Sequence, residues 1–534
     1  MLHSKLIYLL VLNLALVGFA CAHDEDVSFV ATAAATTAAD VNEFQSSATT
    51  IQGFTSVDGA DLMARLEAAR ARSRGSQTPY WSAYAFDVRP GVAVDPAIHE
   101  FHGSMNTIGD ISIFIGTTAS GITVETRNLA VFLLRDPSSN QITRMEVYNL
   151  ERKREYSGYP VYWLSRSNNE ESLNYLRALV AAAPLDRLSE RAVLAIALHD
   201  DIRVAPMLKN FVTTSQNQRI RSSSVYWLGQ IGGEQAFLSD IVRNDAEDVK
   251  LRRAAAHAIG QSHDRGALNS LQNLYETVKE VEVRRSIIQA AGNSQERDAA
   301  FNFLLKIGKS DPDRDARRTA VRQLGEFEKE GAADELIKMY ASDVDLDVRR
   351  SALHALAETK SPKGQTRLLE IARTDTNPEM RRQAIRALAE RGDAVVDDLF
   401  KLFDTERSPE VRRTVLQSLS EIKGTRVEDK LFEIAKSDEL LDLRRQAIRS
   451  LGERAGKRSF DFLSATAQSA DGNAEVQVQA VRAISERHSE ETVPLLIKIA
   501  RTHPNQLVRK QAIRSLGESG DPRAVDFFRE VLTK

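Results

Sequence analysis

From about residue 170 onward, apolar positions recur with helical spacing in a pattern that restarts every 31 to 33 residues. A representative stretch is Leu368-Leu369-Glu370-Ile371-Ala372, the apolar face of one helix. The polar cluster Thr374-Asp375-Thr376-Asn377-Pro378 follows, and then a second apolar face at Met380, Ala384, Ile385, Ala387 and Leu388. Asn377 or Asp375 can cap the second helix, Pro378 suits its first turn, and Gly392 stops it. Within the second helices a short string repeats without gaps, as in Val283-Arg284-Arg285-Ser286-Ile287, Val348-Arg349-Arg350-Ser351-Ala352 and Leu443-Arg444-Arg445-Gln446-Ala447. Its second position falls at 189, 221, 252, 284, 317, 349, 381, 412, 444, 477 and 509. A pair of helices this short cannot bury its apolar faces alone, but stacked neighbours share one continuous core. The pattern predicts a mainly α chain, an α-solenoid of about eleven two-helix repeats over residues 167–534.

Upstream the period changes to two. Tyr80 to Val88, Ile98 to Met105, Ile111 to Gly116, Gly121 to Leu134 and Gln141 to Tyr148 are short runs rich in Ile, Val, Phe and Tyr, separated by turn residues. They predict a small antiparallel β domain over 79–166. Trp81 and Trp163 lie at its two ends and are expected to close one core; rimming a groove is the alternative. Leu62, Leu66 and Ala69 predict a short helix within 58–78. Residues 23–57, dominated by Ala, Thr and Ser, read as a disordered tether.

Residues 1–22 read as a signal peptide: Lys5 is the positive end, Leu6 to Phe19 the apolar stretch, and Ala20-Cys21-Ala22 the cleavage site. The expected location is therefore periplasmic or extracellular, with lipid anchoring through Cys21 as the alternative. Cys21 is the only cysteine, so cleavage after Ala22 leaves neither disulfides nor thiolate metal sites. No later run reaches the ~20 apolar residues that a membrane-spanning helix needs. A formal net charge of −3 draws in neither nucleic acid nor an anionic membrane by bulk attraction.

The strings of the form Val-Arg-Arg-x-Ala-Ile-Arg-Ala-Leu-Gly-Glu, cleanest at Leu443–Glu453 and Val508–Glu518, resemble HEAT repeats of the short kind found in phycobilisome lyases. The β region carries no comparable signature. The resemblance implies a right-handed superhelix, second helices on its concave side, and a protein-binding role. It also implies that the first Arg of each pair is held by a loop carboxylate of a neighbouring unit, with Asp311, Asp343, Asp375 and Asp438 suitably placed. Such a partner is needed, because a cation in the first turn of a helix opposes the helix dipole by ~0.3–1 kcal/mol.

If Leu443, Ala447, Ile448 and Leu451 face inward, Arg445, Arg449 and Glu453 form an exposed ridge. Stacked ridges make rows. The second Arg of each pair gives Arg253, Arg285, Arg318, Arg350, Arg382, Arg413 and Arg445, expected to stand free and to bind a protein partner through an acidic segment. The row breaks at Gln477-Val478 before resuming at Lys510, which centres the expected contact on the middle units. A parallel row holds Glu326, Glu358, Glu390, Glu421, Glu453, Glu486 and Glu518. At the far end Arg523 to Leu532 predicts a lone helix whose Phe527, Phe528, Val531 and Leu532 cover the last repeat.

Chemistry is the weaker alternative. The metal-dependent hydroxylases built on this repeat hold iron with His-Glu pairs, whereas here His257 precedes Ala258 and His354 precedes Ala355. The one His-Glu step is in His99-Glu100-Phe101-His102, where strand alternation puts the two histidines on opposite faces. The expectation is a non-catalytic scaffold with no cofactor, no metal and no small-molecule substrate. The competing readings are a HEAT-type lyase or hydroxylase and a polyanion-binding envelope protein.

Overall fold

A computed structural model of the chain describes residues 53–95, 101–108, 111–118, 126–182, 187–327, 329, 331–359, 361–454, 456–470, 472–487 and 489–533. The expected signal peptide, most of the tether and the His99-Glu100 step lie outside the described residues, as does the side chain of His102. The chain divides into two compact units. One takes the chain up to Ala85 together with Phe132–Thr143 and Leu150–Ser167; the other takes Phe86–Val131, Arg144–Asn149 and Asn168–Lys534. The strand region expected at 79–166 is thus shared between them.

Among the described residues there are eight strands: β1 (Thr55–Ser56), β2 (Tyr80–Ala85), β3 (Val92–Val94), β4 (Phe101–Ile108), β5 (Ile111–Thr118), β6 (Leu129–Arg135), β7 (Ile142–Asn149) and β8 (Val161–Arg166). One sheet runs β1-β8-β2-β6-β7 and the other β3-β5-β4. The three-stranded sheet is antiparallel, with Val92 opposite Ile115 and Met105 opposite Phe114. In the larger sheet β8 runs parallel to both β1 and β2, so that sheet is not purely antiparallel.

In the first unit Trp81 and Trp163 both belong to the core, at 1% and 5% exposure. Phe54 and Phe132 link them, with ring centroids 5.9 Å from Phe54 to Trp163 and 6.1 Å from Phe132 to Trp81. Phe54 and Val57, both within the expected tether, are buried. Two large apolar side chains among small polar ones are enough to anchor that stretch, and an average over its composition hides them. The predicted helix is Leu62–Ser73, capped by Asp61, with Leu62, Leu66 and Ala69 buried.

In the second unit the repeats appear as expected. Eleven second helices run from Arg187–Ala197 to Gln506–Glu518, each preceded by a first helix, and a final helix Pro522–Thr533 follows. Met380, Ala384, Ile385, Ala387 and Leu388 are all at 0% exposure. Asn377 caps its helix by accepting from the Glu379 amide, with Pro378 in the first turn. Asp248, Asp345, Asn473 and Asn505 cap others in the same way, which is why these second helices start where the polar cluster ends. Every second helix packs on its own first helix and on the second helices of the adjoining repeats.

Two departures mark the ends. At the start of the array, Phe86 stacks on His199 at 4.2 Å and Arg89 donates through Nη2 to the carbonyl oxygens of Gln230 and Ile231, so a non-helical segment seals the first repeats. Burial holds the His199 imidazole down at about 4, hence neutral at physiological pH. At the other end Phe527 is buried, but Val531 and Leu532, at 55% and 85% exposure, do not cover the last repeat as expected.

Candidate protein-binding face

The first Arg of each pair points back into the turn between helices and is consumed there. Arg284 meets Asp311 at 3.0 Å, Arg317 meets Asp343 at 2.8 Å, Arg349 meets Asp375 at 2.9 Å and Arg412 meets Asp438 at 2.5 Å, each the loop carboxylate of the next repeat. Arg221 with Glu247 extends the ladder upstream, whereas Arg252 pairs with Asp245 in the loop of its own repeat. Aromatic rings back three of these guanidiniums, at 4.3 Å for Tyr275 under Arg284, 4.4 Å for Tyr340 under Arg349 and 4.4 Å for Phe403 under Arg412. The two tyrosine hydroxyls donate to the same carboxylates, Tyr275 to Asp311 at 2.7 Å and Tyr340 to Asp375 at 2.6 Å. This column is therefore structural and is unavailable to a ligand.

The second Arg lies on the outward ridge, yet the row is not free as expected. Arg253 reaches Glu282 at 3.3 Å, Arg318 reaches Asp315 at 3.5 Å and Arg350 reaches Asp347 at 2.9 Å. Arg382 is shared by Glu379 and Glu410 at 2.6 and 2.8 Å, Arg413 meets Asp442 at 3.4 Å, and Arg445 meets Glu475 at 3.1 Å. Only Arg285 of the seven has no such partner among the described residues. The reason is a second periodic row that the guanidinium pattern obscured: Glu282, Asp315, Asp347, Glu379, Glu410, Asp442 and Glu475, each in the first turn of its helix. Those acids favour the positive end of the helix dipole and offset the cations behind them. Most of these arginines and their partners are a third or more exposed, so each pair adds little to stability, ~0–1 kcal/mol, and can be exchanged for another carboxylate.

The Glu row lies alongside. Burial, reinforced by the charges of Glu326 and Glu390, raises the Glu358 carboxyl above its ordinary value. A carboxyl raised in the folded state favours the protonated form, so its ionisation penalises folding. The penalty is absent below the unfolded value near 4.5 and grows as pH rises through the raised folded one. Glu358→Gln is therefore expected to raise the unfolding midpoint at pH 7. The advantage should disappear in a melt at pH 4; a constant offset at both pH values would mean that ionisation is not the cause.

A third arginine column was missed by the sequence reading. Arg391 donates to the carbonyl oxygens of Leu356 and Ser361, Arg454 to those of Leu419, Ser420 and Ile422, and Arg487 to those of Gly452, Gly456 and Arg454. Each caps the C-terminal end of a preceding second helix. The signal was present as the Glu-Arg step at 390–391, 453–454 and 486–487, whose arginine was passed over for the adjoining glutamate row. Of the histidines, His354 lies 3.3 Å from Glu390, and His257 sits near Arg253 with burial lowering its proton affinity. Among the described residues no group of three His, Cys, Asp or Glu side chains is placed to hold a metal ion.

Repeated helix pairs, a shared core and periodic charged ridges define an α-solenoid. The family model for HEAT repeats matches residues 236–315, 301–376, 365–452 and 460–534, and the chain belongs to the HEAT-repeat family. No curated protein matches its sequence. Among solved structures it is similar to Kap95p in a complex with RanGDP, at 11% identity and a TM-score of 0.37 over 68% of this chain, and spans 59% of that one. It is also similar to human deoxyhypusine hydroxylase, at 14% identity and a TM-score of 0.22 over 54% of this chain and 96% of the other. A third similarity is to the complex of CpcE and CpcF of phycocyanin lyase from Nostoc, at 17% identity and a TM-score of 0.21 over 49% and 92%. These likenesses concern the fold alone. No helix among the described residues is long and apolar enough to cross a membrane.

Proposed function

We propose that the chain is an exported, non-catalytic scaffold whose second-helix face holds a protein partner, with Arg253, Arg285, Arg318, Arg350, Arg382, Arg413 and Arg445 taking its acidic residues. The observation that carries this reading is the recurrence of seven partly exposed guanidiniums at repeat spacing, six of them beside partly exposed carboxylates. Surface pairs of this kind contribute too little to the fold to account for their recurrence. Their geometry suits a ligand carrying carboxylates at matching intervals, which would displace the internal acids pair by pair. The leader-like residues 1–22 support the exported location.

The test is a capture experiment on the exported fraction with wild-type protein and with a variant carrying Arg318→Glu, Arg350→Glu, Arg382→Glu and Arg413→Glu. The expected result is a partner retained by the wild type and lost, by tenfold or more, by the variant at equal helicity in circular dichroism. Equal capture by both proteins would rule this face out.

A further inference from the structure

We propose that the cleft between the second helices Ala474–Ser485 and Gln506–Glu518 binds an acidic peptide segment that carries an aliphatic side chain between its carboxylates. The proposal rests on the protein-binding reading but moves the strongest contact from the middle units to the end of the array.

The ladder of exposed ion pairs ends here. Through seven successive repeats the first turn of the second helix supplies a carboxylate, from Glu282 to Glu475; in the last repeat the same position is Leu507, 60% exposed. One repeat earlier Val478 stands where the guanidinium should be. Arg445 takes Glu475 as the last rung, at 3.1 Å, and Lys510 has no carboxylate within ion-pair distance among the described residues. The two helices enclose a cleft of about 360 Å³ lined by Arg445, Arg482, Lys510 and Arg514 against the single carboxylate of Glu475. Arg482 is steadied by donating through Nε to Gln511 at 3.2 Å. Among the described residues Arg514 is engaged by Glu518 of its own helix alone, at 3.0 Å in a pair 70% and 64% exposed, which a ligand can displace.

The lining also names the ligand class. Val478 and Leu507 place aliphatic surface among the four cations. A phosphate or a nucleic acid backbone would satisfy the charges and leave that surface in water, whereas an acidic peptide with a Leu-like side chain covers both. The neighbouring repeats are each neutralised by their own acid, so the charge complementarity is specific to this cleft.

The experiment uses the full chain and a fluorescein-labelled peptide of sequence Glu-Leu-Asp-Glu-Leu-Asp, read by fluorescence anisotropy at low salt. Leu507→Glu restores the missing rung and is expected to weaken binding at least tenfold, as is Lys510→Glu. The variant with Arg318, Arg350, Arg382 and Arg413 all changed to Glu should weaken binding far less than either of these single changes. A peptide with Ser in place of Leu should bind several-fold more weakly, and millimolar inorganic phosphate should not compete. Wild-type affinity in both Leu507→Glu and Lys510→Glu, no binding to the wild type, or equal binding of the Ser peptide overturns the proposal. Loss confined to the four-arginine variant overturns it too while leaving the central-face reading intact, so the two failures are distinguishable. Unchanged circular dichroism in each variant excludes unfolding as the cause.

Discussion

Asp375→Ala should destabilise the array by about 3 kcal/mol, read as a lower urea midpoint at unchanged slope. Asp375 accepts from the Tyr340 hydroxyl at 2.6 Å, from Arg349 at 2.9 Å and from the Asn377 amide at 2.8 Å. The Arg349 and Asp375 side chains are 22% and 11% exposed. Removing the carboxylate leaves a largely desolvated guanidinium and a phenol without their acceptor, which costs more than the net worth of the pair. The double variant Arg349→Met with Asp375→Leu replaces the pair with apolar groups and should cost less than Asp375→Ala alone. An Asp375→Ala variant within 0.5 kcal/mol of wild type would show that the ladder is not what holds neighbouring repeats together.

Gly260→Val has the other large expected effect, again about 3 kcal/mol. Gly260 sits where one second helix crosses the next, and an added Cβ would lie 2.4 Å from the Ala290 carbonyl oxygen and 2.8 Å from the Ala290 Cβ. Gly229 against Ala258, Gly325 against Ala355 and Gly452 against Ala483 repeat the arrangement. In an exposed helix interior, glycine to alanine gains about 1 kcal/mol. Here even Gly260→Ala should destabilise, because the approaching atoms are backbone and cannot turn aside. Hydrogen exchange should place the damage in the repeats spanning 249–292, since each repeat leans only on its neighbours. A stabilised Gly260→Ala would mean that the helices separate at no cost.

The same repeats show how far the sequence could be read. The inward faces at Met380, Ala384, Ile385, Ala387 and Leu388 followed from helical spacing, because burial in a stacked array depends only on which side a residue occupies. The first-arginine ladder was legible as well, through the resemblance to HEAT repeats, which implied a loop carboxylate such as Asp375 for Arg349. The expected free row of second arginines was misjudged because the row was judged by its own charge alone. Asp347 stands three residues before Arg350 on the same ridge, and that i, i+3 relation was available. The cross-repeat contact of Arg382 with Glu410 was not, because it depends on how closely adjacent second helices approach.

By itself, then, the sequence determined the class of fold, the number and phase of the repeats and their buried faces. Each of these is a local periodicity, and a helix obeys it wherever it sits. Tertiary structure alone decided the parallel pairing of β8 with β1 and β2, the sealing of the first repeats by Phe86 and Arg89, and the service of Arg391, Arg454 and Arg487 as carbonyl caps. It also decided that Leu507 faces the same cleft as Val478, where the sequence already showed the arginine row to break. Those outcomes depend on which surfaces meet across tens of residues, and no pattern within a single helix or strand encodes that meeting.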